Sequence, residues 1–139
     1  MTKRILTWLK PTSDQIHIGN YFGAVEPLLK IIAQDVNNEW FFMIANMHTL
    51  TTIHDGWIMK QNTLDFCRLY IALMRYHWLN EQQVVIFNQA SIPAHAQLSW
   101  ILSCVTHMWF MERMHAYKDA VSKWKGNEVG VGTFCYPIL

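Results

Sequence analysis

A histidine, a glycine and an asparagine lie close together in the stretch PTSDQIHIGNYFGA, residues 11–24. His17 and Asn20 are three positions apart, so on a helix they would share one side of the first turn. An imidazole and an amide there could donate hydrogen bonds to phosphoryl oxygens as charge shifts during a reaction. Gly19 would let a nucleotide approach the backbone, and Lys10 would supply a cation. These residue types indicate adenylyl transfer, although spacing alone favours an ordinary helix cap.

The elements around this stretch are suited to holding a phosphate. The run RILTWL, residues 4–9, has the β-branched and large apolar residues of a buried strand. The run AVEPLLKIIAQ has apolar residues at helical spacing, namely Val25, Leu28, Leu29 and Ile32. A helix start offers unpaired N–H groups and the positive end of the helix dipole, which attract phosphate. The sequence therefore predicts a strand, a tight loop and a phosphate-binding helix start.

Strands and helices alternate along the rest of the chain. The predicted elements are strands at Trp40–Ala45 and Val84–Asn88, a helix over residues 56–77, a helix from about Ala94 that breaks near Phe110, and a loop over Ser122–Thr133. The first of these strands is expected to be buried on both faces, and the apolar positions of the long helix are Ile58, Leu64, Leu69 and Leu73. The order predicts an α/β fold with a parallel sheet, right-handed crossovers and flanking helices. Such sheets bind ligands beyond the carboxyl ends of their strands.

Length and composition limit the classes of protein to consider. With 139 residues, 52% of them hydrophobic, the chain forms one domain or part of one. A net charge of +1 gives no overall reason to bind nucleic acid. Cys67, Cys104 and Cys135 form no Cys-x-x-Cys pair, so we expect buried free thiols and no zinc site. No apolar stretch is long enough for a signal peptide or a membrane span, which predicts a cytoplasmic protein.

Five ordered stretches resemble one enzyme family. HIGN followed by YFGA, after KPTSD, resembles the His-Ile-Gly-His-type signature of class I aminoacyl-tRNA synthetases, in the Asn-ended form of the tryptophanyl enzymes. The later stretches IANMHTLT, FNQASIPAHAQLSWIL, ERMHAYKD and VGVGTFCYPIL resemble the same family in the same order. The resemblance implies a Rossmann-like (HUP-type) catalytic domain, of which residues 1–139 are the N-terminal part, incomplete at the C-terminus and without the anticodon-binding domain. Asn20 and ERMHAYKD favour the tryptophanyl over the tyrosyl enzymes, and a non-catalytic nucleotide-binding or dimerisation fragment is the other alternative.

The resemblance also implies a reaction and a set of site residues. Tryptophan would be activated with ATP and Mg²⁺ and attached to tRNA(Trp), by an enzyme that is a homodimer at full length and has no membrane part. The implied ATP-binding residues are Lys10, Pro11, Thr12, His17, Gly19 and Asn20; the catalytic residues are His17, Asn20 and Lys118; and the amino-acid pocket contains Leu6, Trp8 and His48. No protein ligand to a metal is expected. The alternative for His48 is a structural histidine at a strand end whose hydrogen bonds are satisfied, and the alternative for Lys118 is a solvated lysine on a helix. We expect His95 and Gln97 to take part in packing or in a dimer interface.

Three tryptophans depart from the family pattern. Trp8, Trp78 and Trp109 stand where the family is expected to have glycine, whereas Trp100 stands where tryptophan is tolerated. An indole at position 8 would fill the space that the substrate needs, and overpacking a dense site costs about 1–3 kcal/mol. We hypothesise that the source organism reads a stop triplet as glycine and that the triplet is translated here as tryptophan, a diverged product being the alternative. Since the indole-recognising segment and the Lys-Met-Ser-Lys-Ser loop of the family are absent, the chain alone is expected to be inactive.

Overall fold

Three parallel strands form one sheet in sequence order: β1 (Arg4–Leu9), β2 (Glu39–Ile44) and β3 (Val84–Asn88). The computed structural model describes residues 2–12, 16–35, 37–79, 81–123 and 129–139. Leu9 is in register with Ile44, and Ile44 with Asn88, so the three carboxyl ends share one edge of the sheet. The predicted parallel α/β architecture is confirmed.

Helices follow each strand. They are α1 (Ile18–Asn20), which continues through a π-helical turn (Tyr21–Val25) into α2 (Glu26–Gln34), then α3 (Asn46–Thr49), α4 (Gly56–Tyr76), α5 (Ala94–Val105), α6 (Met108–Glu112), α7 (His115–Lys123) and α8 (Val131–Cys135), with 3₁₀ turns at Gln89–Ser91 and Tyr136–Ile138. The start of α4 is fixed by Asp55, whose carboxylate accepts the backbone N–H groups of Trp57 and Ile58 at 2.8 and 3.0 Å. Among the described residues, no helix is long and apolar enough to cross a membrane.

The core lies between the sheet and two of these helical segments. Its buried members are Val25, Leu29 and Ile32 from the first helical segment, Trp40, Phe42 and Ile44 from β2, Phe66, Tyr70 and Met74 from α4, with Leu79 and Val84. The rings of Phe42 and Tyr70 meet edge to face with centroids 5.2 Å apart. The predicted helical face is therefore confirmed, with the fourth predicted position, Leu28, partly buried against this core. Strand β2 has the burial expected of a central strand.

The predicted face of α4 is partly wrong. Of the four predicted positions, Ile58 and Leu64 are exposed, and Leu69 and Leu73 are half-buried. The buried residues are instead Phe66, Tyr70 and Met74, at intervals of four. The helix has apolar residues all round, so periodicity alone did not distinguish the face that the sheet covers. The packing of β2 against the two aromatic residues decides which face is inside.

Two boundaries and the burial of the thiols also differ from expectation. Phe110 lies inside the short helix α6, and the helical run breaks on both sides of it, at Thr106, whose backbone is extended, and at residues 113–114, between α6 and α7. The C-terminal part of the predicted loop forms the start of α8, while residues 124–128 lie outside the described residues. The expectation of buried thiols is wrong: Cys104 is exposed, Cys67 and Cys135 are half-buried, and all three are free. Cys104 lies on α5, a helix that buries none of its residues.

Trp78 has a backbone conformation that favours glycine. Its φ is 53°, and among the described residues it is the single non-glycine residue with a positive φ. The N–H of Trp78 donates to the Arg75 carbonyl at 3.1 Å and that of Leu79 to the Met74 carbonyl at 3.0 Å. These two bonds define a Schellman motif at the end of α4, with Trp78 in the left-handed position that glycine usually occupies. The Trp78 side chain is 93% exposed, so no packing of its indole compensates for the conformation.

Candidate active site at the carboxyl edge of the sheet

The chain turns at the same edge after each of the three strands. Lys10 follows β1, Asn46 and His48 follow β2, and Gln89 follows β3. The N–H of Ala45 donates to the Leu9 carbonyl at 2.9 Å, which holds the first two turns together. This edge is where open parallel sheets bind ligands.

His17 caps the helix start. Its Nδ1 accepts the Gly19 N–H at 3.0 Å, and His17, Gly19 and Asn20 are all exposed. Because Nδ1 is an acceptor, the neutral imidazole carries its hydrogen on Nε2, which is free to act as a donor. A Cβ added at Gly19 would lie 3.2 Å from His17 Nδ1, so a side chain there would crowd the cap. The cap and a phosphate donor are therefore compatible roles for one histidine.

Lys10 is held at the end of β1. Its Nζ donates to Thr51 Oγ1 at 2.9 Å, and the Thr51 hydroxyl donates to the His48 carbonyl at 2.8 Å. Burial lowers the pKa of Lys10 below that of an ordinary lysine. The next residue, Pro11, is buried, and its carbonyl accepts from Asn62 Nδ2 at 3.4 Å. The exposed Thr12 donates its N–H to the Lys10 carbonyl at 3.0 Å.

A cavity of about 650 Å³ opens beside this loop, a volume within the range of small-molecule sites. It is lined by Trp8, Lys10, His48, Leu50, Thr51, Thr52 and His54, by Ala116, Asp119, Ala120 and Lys123 of α7, and by Val129, Gly130, Gly132, Thr133 and Tyr136. Three of the predicted site residues therefore share one cavity. Its wall combines aromatic rings with a few charged groups, which suits an amphipathic ligand.

His48 is held from three sides. The Trp8 indole stacks on its ring with centroids 5.4 Å apart and planes inclined by 30°. The Tyr136 ring meets it edge-on at 5.5 Å. The third contact joins His48 Nδ1 and Gln89 Oε1 at 2.9 Å, and both of these side chains are buried. A stacked indole shows that the His48 ring offers a face on which indole packs.

The turns after β2 and β3 are tied together by side-chain amides. Asn46 Oδ1 accepts the Ala90 N–H at 3.0 Å, and Asn46 Nδ2 donates to Asn88 Oδ1 at 3.4 Å. Asn88 Oδ1 also accepts the Ser91 N–H at 2.8 Å and so caps the 3₁₀ turn. These bonds fix Gln89 opposite His48.

Some predicted site residues lie apart from the cavity. His17, Gly19 and Asn20 are not among the residues that line it, and Leu6 is exposed on the face of β1 that also presents Trp8. Lys118 is exposed on α7, which lines the cavity with Asp119 and Lys123 instead. The described residues contain no group of three or more His, Cys, Asp or Glu side chains that could hold a metal ion.

Sequence reasoning missed Gln89 and Tyr136. A polar residue directly after a buried strand is the available signal for Gln89. Tyr136 carries no such signal, because its position against His48 depends on how α8 folds back.

The family model for class I tRNA synthetases (W and Y) matches residues 2–139. A tryptophan–tRNA ligase of Prochlorococcus marinus is 39% identical over 99% of this chain and 38% of its own length, and one of Campylobacter jejuni is 39% identical over 98% of this chain and 40% of its own. The crystal structure of tryptophanyl-tRNA synthetase from Campylobacter jejuni complexed with ADP and tryptophan matches with a TM-score of 0.82 and 37% identity, over 97% of this chain and 39% of that one.

A tyrosyl-tRNA synthetase from Archaeoglobus fulgidus shares the fold, with a TM-score of 0.69 at 13% identity. The chain spans about two fifths of the length of the curated relatives named above, which are tryptophan–tRNA ligases. Because the family model matches almost every residue, the chain belongs to the class I tRNA synthetases of the tryptophan and tyrosine group.

Proposed function

We propose that this chain carries part of the site at which a tryptophan–tRNA ligase joins tryptophan to ATP and then to tRNA(Trp). Residues 1–139 would be the N-terminal part of its catalytic domain, with the anticodon-binding domain outside them. The observation that carries the proposal is the cavity at the carboxyl edge, where Lys10 and an indole-stacking His48 meet. Relatives named tryptophan–tRNA ligases over almost the whole chain support it. Because the reaction belongs to translation, we expect it in the cytoplasm.

ATP is proposed to bind at the helix start. The first turn offers backbone N–H groups and an exposed His17 Nε2–H donor, and Asn20 adds a side-chain amide. Lys10, Pro11 and Thr12 would cover the phosphates from the end of β1. Mg²⁺ is proposed to arrive on the ATP phosphates, because it binds preferentially to substrate phosphates and water.

Tryptophan is proposed to bind in the cavity, with its indole against the His48 ring and with Leu6 and Trp8 at the β1 side. The Trp8 indole already occupies the His48 face, so substrate binding requires Trp8 to move or to be absent. Lys118 is proposed to act near the pyrophosphate, although it lies on the exposed side of α7. A glycine at position 8 would leave the face of the His48 ring open to the indole of tryptophan.

The experiment is amino-acid-dependent exchange of pyrophosphate into ATP, measured on the full-length protein with Trp8 and on its Trp8→Gly variant. We expect exchange with tryptophan and none with tyrosine. The Trp8→Gly variant should exchange about tenfold to hundredfold faster, which corresponds to removing about 1–3 kcal/mol of overpacking. Trp57→Gly is the control, because Trp57 is exposed on α4 and does not line the cavity.

Other outcomes separate the alternatives. Exchange with tyrosine alone would make the protein a tyrosyl-type synthetase. Binding of ATP without exchange, with either residue at position 8, would make it a nucleotide-binding or dimerisation module. Equal exchange rates in the unmodified protein and the Trp8→Gly variant would mean that Trp8 does not obstruct the substrate.

A further inference from the structure

Gln89 is an unusual residue for its environment. It is fully buried, and its Nε2 is one of the buried side-chain atoms without a hydrogen-bond partner among the described residues. A buried amide donor without a partner costs free energy, so its presence calls for a compensating role. The one side-chain bond that Gln89 makes in the described structure is from Oε1 to His48 Nδ1.

The chemistry of that bond determines the state of His48. An amide oxygen can only accept, so His48 Nδ1 must carry a hydrogen and donate it. In the neutral imidazole the other nitrogen, Nε2, is then an unprotonated acceptor. No hydrogen bond to Nε2 is found within the described part of the chain. The other titratable side chains of the cavity wall, Lys10, His54, Asp119, Lys123 and Tyr136, make no hydrogen bond to the ring there either.

We propose that Gln89 is a positioning residue that fixes His48 in the Nδ1–H tautomer and so presents Nε2 as an acceptor for an N–H group of the amino-acid ligand. The proposal rests on the proposed function only for the identity of that ligand. The stack of Trp8 and the edge contact of Tyr136 set the plane of the ring, while Gln89 sets which nitrogen bears the hydrogen. His17 has the opposite arrangement, since its Nδ1 accepts and its Nε2 donates.

The test is ¹⁵N NMR of the histidine ring nitrogens in this chain without ligand, at a pH where His48 is neutral. We expect His48 Nδ1 to give the shift of a protonated nitrogen and Nε2 that of an unprotonated one. The opposite assignment in the unmodified chain would overturn the proposal without any variant. It would mean that the Gln89 amide donates to the ring through Nε2.

Two substitutions separate positioning from packing. Gln89→Leu removes the acceptor and should move the ratio of the two tautomers about tenfold toward Nε2–H, the size expected of one hydrogen bond. Gln89→Glu keeps an acceptor oxygen and should retain the Nδ1–H form. Gln97→Leu makes the same chemical change on the exposed side of α5 and should leave His48 unaltered. An unchanged tautomer ratio in Gln89→Leu would overturn the proposal.

The ligand readout is separate. In the full-length protein with glycine at position 8, Gln89→Leu should weaken tryptophan binding about tenfold while ATP binding is unchanged. A protein that fails to exchange pyrophosphate but shows the expected tautomers would contradict the proposed function and leave the positioning role of Gln89 intact. A tautomer that responds to Gln89 with no effect on tryptophan binding would contradict the proposed ligand contact.

Discussion

At the scale of single residues, the capping His17 and the buried His48 show how one hydrogen bond determines which ring nitrogen of an imidazole carries the hydrogen. His17 accepts from a backbone N–H and so keeps a donor on its outer nitrogen. His48 faces an amide oxygen and so keeps an acceptor. A phosphate needs donors, and an ammonium or indole N–H needs an acceptor. A histidine can therefore donate to a phosphate or accept from an N–H group, depending on what its other ring nitrogen contacts.

The first residue-scale prediction concerns His17 and Asn20 in the full-length protein with glycine at position 8. Replacing either by alanine should slow adenylate formation about 10²–10³-fold, the loss typical of one preorganised donor, while ATP binding changes less. Pre-steady-state adenylate formation and equilibrium ATP binding measure the two effects.

Gly19→Val provides the contrast to these variants. A side chain there would meet His17 and obstruct the nucleotide, so the dissociation constant for ATP should rise directly. Unchanged adenylation rates in the His17 and Asn20 variants would leave the histidine as a helix cap alone.

The second residue-scale prediction concerns Trp78. Trp78→Gly should raise the free energy of unfolding by about 0.5–1 kcal/mol, as measured in urea titrations. The substitution relieves a left-handed non-glycine conformation that costs about 1–2 kcal/mol. This gain exceeds the loss of stability caused by the added conformational entropy of glycine in the unfolded chain. Trp57→Gly in the first turn of α4 is the control and should destabilise instead. A destabilised Trp78→Gly would refute the strain argument.

The conformation of Trp78 bears on the hypothesis of a recoded triplet. The positive φ at position 78 supports glycine there. Trp8 and Trp109 do not have positive φ values, so the hypothesis of glycine at those two positions depends on the family pattern alone. If the hypothesis holds, codons 8, 78 and 109 share one triplet that differs from codon 100. The nucleotide sequence decides this, and ordinary tryptophan codons at all four positions would exclude it.

At the scale of elements, the sequence predicted what depends on local pattern. The three strands are short apolar runs, and their bounds agree with the structure to within a residue. The buried face of α4 was not predictable in the same way, because apolar residues such as Ile58 and Phe66 lie on different sides of the helix. The contact of Gln89 with His48 joins residues 41 positions apart. It follows from the register of β2 and β3, which a single sequence does not contain.

The element-scale prediction concerns Tyr70 in α4. Burial raises the pKa of Tyr70 above its ordinary value. The neutral phenol is therefore favoured in the folded state, so this contribution to stability is present below about pH 10 and is lost as the pH rises above it. Tyr70→Phe should reduce the loss of unfolding free energy between pH 9 and pH 11 by about 1 kcal/mol.

Urea titrations at several pH values measure this loss of stability. Tyr76→Phe is the matched control, because Tyr76 is exposed at the end of the same helix, and it should leave the alkaline decline unchanged. An identical decline in the Tyr70 variant and the unmodified chain would contradict the assignment.

At the scale of the whole molecule, α5 and α6 form an apolar surface that the rest of the described chain leaves uncovered. Residues 94–111 contain no Lys, Arg, Asp or Glu, and α5 buries none of its residues. The exposed apolar side chains are Leu98, Trp100, Ile101, Leu102, Val105, Met108, Trp109 and Phe110. Large exposed apolar patches mark interfaces, and these side chains lie on two consecutive helices. The family resemblance implies a homodimer at full length, and we expect the second copy to bind at this surface because it is apolar and carries no Lys, Arg, Asp or Glu.

The whole-molecule prediction follows from that surface. Ile101→Glu places a charge in its middle and should raise the dimer dissociation constant of the full-length protein on the order of 30-fold, the loss typical of a central interface residue. Ile31→Glu is the matched control, since Ile31 of α2 has nearly the same exposed fraction, 54% against 59%, outside this surface. Sedimentation equilibrium measures both constants. A full-length dimer that tolerates Ile101→Glu would place the interface elsewhere. A full-length protein that is monomeric at every concentration would contradict the proposed dimer contact, because no second copy would then cover this surface.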